Sequence, residues 1–536
     1  MNLKIQAGSL FCVVAMLALV AGWTPAQVAV AQTPDDAFRF SERSPATGAR
    51  MMGMAGAGTA GLADYGALFN NPAGLGYFTK SAASGALNSV FTTDESFYRT
   101  PGFSSTLDED VSETNVGNLA YVYRAPTKRG SFVMAVALNQ VNSFERDLRF
   151  VGTNSTSTIS TSFLPFDDEF SLDGSNLDVL SDLPFAAFNG GLIEFFPEFL
   201  DDDPNAYPFL EAVAPGTSIE QAGTVLEQGR MNEVSFGGAL ETARGVMIGL
   251  SANLVYGTYE FNSIFEEADV FNENTAAEYS VLLDDGSLLE GFDFLTYQQN
   301  LESDLLGVNL RAGISAEISP NIRFGATLES PTFYTVEERF GVRYETVFDS
   351  GGSLSYGDRL DDVGNGEFEY EILTPWRLGI GVGFHSDNFT VLADAEFVDW
   401  GQLELDADTD RAFFDDLNRS IEENYEAVIN GRLGIEYRLG DLMLRGGVAY
   451  KPDPLDVPLQ QSDGTELDRD KTFFSAGVGY RFNNQFQVDF GWMQARFDSI
   501  YSGYPEDDLG PRQDDILLID EEVIQNQFVV GVSFFF

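Results

Sequence analysis

The sequence predicts an all-β protein, a 14-stranded antiparallel transmembrane β-barrel, and three observations carry that expectation. Fourteen segments alternate apolar and polar residues with period two, so each lays one apolar and one polar face along a strand. The connections switch between short turns and long acidic loops, the anatomy of an outer-membrane barrel whose short turns are periplasmic. After residue 31 no uninterrupted apolar run reaches the roughly 18 residues that a spanning helix requires.

Taken in order, residues 1–31 are expected to be a cleaved secretory signal. Lys4 supplies the positive start, Leu10 to Val20 the apolar centre, and Ala29-Val30-Ala31 the small-residue cleavage site. The single cysteine, Cys12, lies inside it, so the mature chain is expected to hold no disulfide, thiolate nucleophile or cysteine metal site. A formal net charge of −53 argues against nucleic acid as a partner, because phosphate binding needs clustered Lys and Arg. The 46 Phe and 53 Gly suit strands with aromatic outer faces and closely approached backbones.

Residues 32–80 do not read as strand. The strands follow at about 81–93, 115–125, 131–146, 230–243, 246–264, 302–317, 322–345, 366–386, 388–405, 424–438, 441–451, 471–482, 485–500 and 523–536, with a long outer loop over 147–229. Short turns such as Ala243-Arg244-Gly245, Ser319-Pro320-Asn321 and Leu439-Gly440-Asp441 carry tight-turn chemistry. The long connections carry acids, among them Asp201-Asp202-Asp203, Asp284-Asp285 and Asp507-Asp508.

Face assignment follows from the alternation. In the strand after Leu305, Leu306, Val308, Leu310, Ala312 and Ile314 oppose Gly307, Asn309, Arg311, Gly313 and Ser315, which places apolar residues on lipid and polar ones in the lumen. The same rule turns Arg311, Glu317, Arg323, Glu329, Arg377, Asp394, Glu396, Arg432, Glu436, Arg445, Arg481 and Asp489 inward. Two readings stay open for these charges: they pair with one another, or Arg311, Arg377 and Arg432 offer guanidinium to a substrate carboxylate. The last strand sets Phe528, Val530, Val532, Phe534 and Phe536 on one face, an apolar edge that needs a partner and finds one by closing against the first strand. This ending resembles the C-terminal recognition strand of outer-membrane barrels, which makes Phe528, Phe534 and Phe536 the expected signal for the barrel-assembly machinery.

The stretch GARMMGMAGAGTAGLADYGALFNNPAGLGY, Gly48 to Tyr77, is rich in Gly and Ala and contains Asp64 and then Asn71-Pro72-Ala73. It resembles the N-terminal hatch of the FadL, OmpP1 and TodX family of outer-membrane transporters for hydrophobic compounds. Asn309 to Pro331, Thr374 to Gly401 and Asn430 to Pro454 extend the likeness in family order. The resemblance implies that 32–80 forms a plug inside the barrel of 81–536, with Asp64, Asn71, Pro72 and Ala73 at its gate. It further implies passive transport of long-chain fatty acids or other hydrophobic molecules: capture at the mouth, passage past the hatch, and release sideways through a kinked strand. The third strand holds no Gly or Pro, so Asn139 and Asn142 are the candidates for that lateral opening. In the long loop, Phe185, Phe188, Phe195, Phe196 and Phe199 are expected either to offer an apolar capture groove or to pack into a lid.

A different class of function shares the hatch motif: accessory barrels of secretion systems, which bind protein partners. Catalysis is not expected. His385 has no triad context, Gly56 to Gly61 fits GxGxxG outside any βαβ unit, and the calcium-like Asp406, Asp408 and Asp410 are followed by Arg411 where a loop Gly is needed. No cofactor or metal is implied, and the expected partners are a hydrophobic ligand, outer-membrane lipid and lipopolysaccharide, with the barrel a monomer.

Overall fold

The computed structural model describes residues 33–536 apart from 167–169, 174–175, 180, 197–206, 215, 276–278, 284, 360–361, 363, 408, 410, 458 and 505–516. The expected signal at 1–31 lies outside them, as do Phe199, Asp408 and Asp410. Fourteen antiparallel strands close on themselves. They are β1 (Ala82–Thr100), β2 (Phe103–Arg124), β3 in two halves (Phe132–Ser143 and Arg146–Asn154), β4 (Ile219–Ala243), β5 (Val246–Ala268) and β6 (Phe292–Ser319). Then follow β7 (Ile322–Glu329 and Phe333–Phe348), β8 (Gly366–Leu373 and Arg377–His385) and β9 (Phe389–Asp399 and Glu404–Asp406). The circuit ends with β10 (Ala427–Leu439), β11 (Leu442–Lys451), β12 (Lys471–Arg481), β13 (Phe486–Ser502) and β14 (Leu518–Phe535).

Closure runs through the terminal strand, as its apolar face requires. β14 pairs with β1 from Ala82 opposite Phe535 to Tyr98 opposite Ile519. Val530, Val532, Phe534 and Phe536 are 41–52% exposed on the outer face, while Val529 and Ser533 are buried in the lumen. Leu306, Val308 and Leu310 stand outside and Asn309 and Arg311 inside, so the alternation read from the chain is the alternation of the wall.

Several strands run far past the bilayer. β6 has 28 residues, whereas a tilted strand needs about 9–11 to cross. The stretch 94–114, acidic enough to read as a loop, is instead the outer part of β1 and β2, joined by the two-residue turn Pro101-Gly102 with Gly102 at φ +94°. β4 likewise starts at Ile219 rather than near 230, which leaves 155–218 as the connection after β3. The reason is that alternation of apolar with polar marks only the part of a strand facing lipid. Above it both faces meet water or the lid, yet the backbone ladder continues.

The N-terminal segment enters the lumen as a plug. Helix α1 (Pro34–Ser41) begins with a capping box, in which Oγ1 of Thr33 accepts from the Asp36 amide and Asp36 accepts from the Thr33 amide, with Pro34 in the first turn. Beyond it, short helices at Ala49–Met52 and Ala67–Asn70 and a 3₁₀ turn at Pro72–Tyr77 pack small residues against the inner wall.

Candidate functional site

Asn71 fixes the turn that the sequence singles out. Its Oδ1 accepts from the Ala73 amide at 3.0 Å, and its Nδ2 donates to the carbonyls of Thr59 at 2.6 Å and of Ile314, on β6, at 3.1 Å. Gly313 makes the fit possible, since a Cβ there would overlap Oδ1 of Asn71. Asp64 is buried and accepts from the Gly66 amide at 2.9 Å. Asn71, Pro72, Ala73 and Asp64 are therefore brought together in one folded unit seated on β5 and β6.

The inward charges bind that unit to the wall. Arg311 is 1% exposed. It reaches Glu233 at 3.1 Å and Glu329 at 2.8 Å and donates to the Leu68 carbonyl of the hatch. From the hatch side, Arg43 meets Glu329 at 2.7 Å and Glu396 at 3.3 Å, and Arg50 meets Glu436 at 2.9 Å. Arg377 donates to the Ser41 carbonyl at 2.7 Å and Arg432 lies 3.1 Å from Glu396. All three arginines weighed as carboxylate receptors are thus engaged with acids or carbonyls of the protein itself. Buried charges persist in low dielectric only with such partners.

The third strand is where the wall departs from a regular barrel. The β2–β3 ladder stops at Asn118 opposite Asn139, and a register shift follows between Gln140 and Asn142. Asn139 lies at the last rung and Asn142 just past the shift. Above this point β3 turns inward. Oγ of Ser96, on the lumenal face of β1, donates to the Arg149 carbonyl at 2.5 Å, and Oγ1 of Thr100 donates to the Thr153 carbonyl at 2.7 Å. The upper half of β3 keeps its ladder to β4, from Arg146 opposite Glu227 to Asn154 opposite Ile219. Among the described residues the edge of β2 from Phe103 to Gly117 has no backbone partner on that side.

Two contacts hold the bend, and sequence reasoning identified neither. Arg146 lies 3.4 Å from Asp94 on β1 and 2.6 Å from Glu227 on β4, and pairs with Glu521 on β14. Phe144 stacks edge-on against Tyr259, 5.3 Å between centroids, and against Phe40 of α1 at 6.0 Å. The Ser44 amide also donates to the Val141 carbonyl at 2.7 Å. The hatch is therefore bonded directly to the irregular part of the wall.

A lumenal cavity of about 410 Å³ opens at this bend. Phe38 of α1, Val141 and Phe144 at the bend, and Phe473, Met493 and Val523 on β12, β13 and β14 line part of it, and Arg43, Arg146, Glu227, Lys451 and Lys471 line the rest with charge. A second cavity of about 550 Å³ lies on the periplasmic side of the hatch, beside Asp64, Tyr77 and Arg323. The plug stands between the two.

The outer mouth is covered. Ile159, Phe163, Leu183, Leu192 and Phe209 of the segment 155–218 pack with Phe150, Phe265, Tyr297, Tyr344 and Phe348 on the strand extensions. The carboxylate of Glu267 anchors one edge, accepting from Oγ1 of Thr158 at 2.5 Å, the Ile159 amide at 2.8 Å and Nε2 of Gln221 at 2.7 Å. Phe188 and Phe195 pack against this core, Phe196 is half-buried, and Phe185 is 37% exposed beside Tyr356. Glu194, in the lid hairpin of Ile193–Phe195 with Phe209–Glu211, is pushed up to about 7 by burial.

Comparison with known proteins gives the same picture. Residues 230–502 match the family model described as outer membrane protein transport protein (OMPP1/FadL/TodX). A FadL homologue from Pseudomonas aeruginosa is similar in structure, with 13% identity and a TM-score of 0.52, over 91% of this chain and 98% of that one. The toluene transporter TodX from P. putida aligns at 13% identity and a TM-score of 0.49, over 92% of this chain and 99% of that one. At such identity the P. aeruginosa structure supports the fold alone. No curated protein matches by sequence.

Proposed function

The chain belongs to the outer-membrane transport protein family OMPP1/FadL/TodX, and we propose that it passively carries long-chain fatty acids or other hydrophobic molecules, captured at the mouth, passed along the hatch and released sideways into the bilayer. One observation carries this reading: a lumenal cavity that joins apolar walls at Phe38, Val141, Phe144 and Met493 to charged groups such as Arg43 and Lys471 lies at the point where the β2–β3 ladder stops. Sideways release suits such a cargo. A solute with about 16 methylenes that never enters water avoids a penalty of about 13 kcal/mol, at about 0.8 kcal/mol for each CH₂. Asn139 and Asn142 then border the exit. The hatch turn at Asn71-Pro72-Ala73 stands between the cavity at the bend and the periplasmic one, and Phe185 offers the first apolar contact at the mouth. No energy source enters the scheme, because the bilayer is the favourable end of the path.

The test is uptake of radiolabelled oleate and toluene by cells that lack their own such transporter and express this chain. Uptake of either solute above the empty-vector rate is expected. Barrels that are inserted and heat-modifiable yet leave both rates at the vector level overturn the reading.

A further inference from the structure

Above the Asn118–Asn139 rung, β2 and β4 face each other across the space that the upper half of β3 leaves. Among the described residues one side chain joins β4 to β2 across it, while Ser105, donating to the Val151 carbonyl, and Arg149, 3.6 Å from Glu109, tie upper β3 to β2. Nη1 of Arg230, on β4, donates to Oε1 of Glu113 at 2.6 Å and to Oδ1 of Asn115 at 2.7 Å, both on β2. These strands share no ladder, since β4 pairs only with β3 and β5 among the described residues. With β3 seated regularly between them they would stand about 9–10 Å apart, two strand spacings, with its backbone interposed.

The direction of the bond is informative. Arg230 shares the outer face of β4 with Phe236, which is 61% exposed, whereas Glu113 pairs with Val90, which is 2% exposed and lumenal. The bond therefore runs through the wall, from its outer face to its inner one. It also has little to hold it shut: the two side chains are 43% and 23% exposed, and half-exposed ion pairs add little net stability. Around it, Oε2 of Glu113, Nδ2 of Asn115 and Oγ of Ser143 are buried without a hydrogen-bond partner among the described residues. Of these, Oε2 of Glu113 and Oγ of Ser143 can accept from a guanidinium that leaves its place, whereas the Asn115 amide nitrogen can only donate.

We propose that Arg230, held by Glu113 and Asn115, is a latch across the lateral opening, and that its release widens the path between the lumenal cavity and the lipid. Its role in transport rests on the sideways-release reading, but its existence is tested without transport. Val141, buried at the cavity beside the bend, serves as reporter when changed to cysteine, with Cys12→Ser leaving no other thiol. The full chain is placed in phosphatidylcholine vesicles and labelled by a maleimide carried on a long acyl chain, which approaches only through the bilayer. Arg230→Met is expected to raise the labelling rate by roughly five-fold, the scale on which loss of one weak contact shifts a closed–open balance. The exchange Glu113→Arg with Arg230→Glu is expected to return it towards the starting rate, which a merely structural loss would not do. Unchanged labelling in Arg230→Met overturns the latch. Should that variant lose its heat-modifiable barrel, Glu113→Gln carries the same test with the same two outcomes. Failure of oleate and toluene uptake by the unmodified protein strikes the transport reading instead, and leaves the labelling result to judge the latch.

Discussion

Arg311 and Gly313 sit two residues apart on the lumenal face of β6 and hold the hatch by opposite means, one with charge and the other by having no side chain. Arg311→Met keeps the bulk but leaves Glu233 and Glu329 facing each other without their shared cation. Removing one partner from such a buried set costs about 3–5 kcal/mol. The expected outcome is faster hydrogen exchange across 48–77 with the barrel still heat-modifiable; unchanged exchange would mean that Arg43, also on Glu329, suffices. Gly313→Ala should loosen the same segment by about 1–3 kcal/mol, because the added methyl overlaps Asn71. The inward direction of these residues was legible from alternation alone. Their partners were not, because Glu233 and Leu68 come from distant parts of the chain and meet only once the plug is seated.

At the level of elements, the membrane-facing halves of the strands were readable and their outer extensions were not. A strand such as β2 carries Asp108, Asp110, Ser112 and Thr114 on its outer face above the bilayer, and nothing in that composition separates it from a loop. The irregularity of β3 falls between Asn139 and Asn142, where the chain offered its candidates. What holds it was hidden, because it is not a local Gly or Pro but the reach of Arg146 to three other strands and the packing of Phe144 on Tyr259. The lid shows its own signature in pH. Glu194 is raised from 4.5 to about 7, so the folded lid binds that proton more tightly than the unfolded one. Its contribution is full below the unfolded value and is lost as pH rises through 7. Proteolysis and hydrogen exchange within 181–214, corrected for intrinsic rates, should therefore be slower at pH 4 than at pH 8. Glu194→Gln should flatten the difference, and an equal difference in the variant would assign it to other groups.

Across the whole molecule, the hatch is packed and hydrogen-bonded directly against the irregular part of the wall. α1 reaches the bend through Phe40, whose ring lies 5.5 Å from Tyr259 on β5 and 6.0 Å from Phe144 on β3, and the backbone just after it donates from Ser44 to Val141. In the proposed scheme, a plug that moved to pass a solute would thereby pull on β3 and so link passage to sideways release without any energy input. Phe40→Ala tests this coupling. Phe40 is 1% exposed, and truncating such a ring costs about 3–5 kcal/mol of local packing. If hatch and wall are coupled, exchange should rise in α1 and also over 140–146, while β10 and β11 stay as protected as before. A rise confined to α1 would show that Arg146 alone holds the bend, and that the hatch can shift without the wall responding.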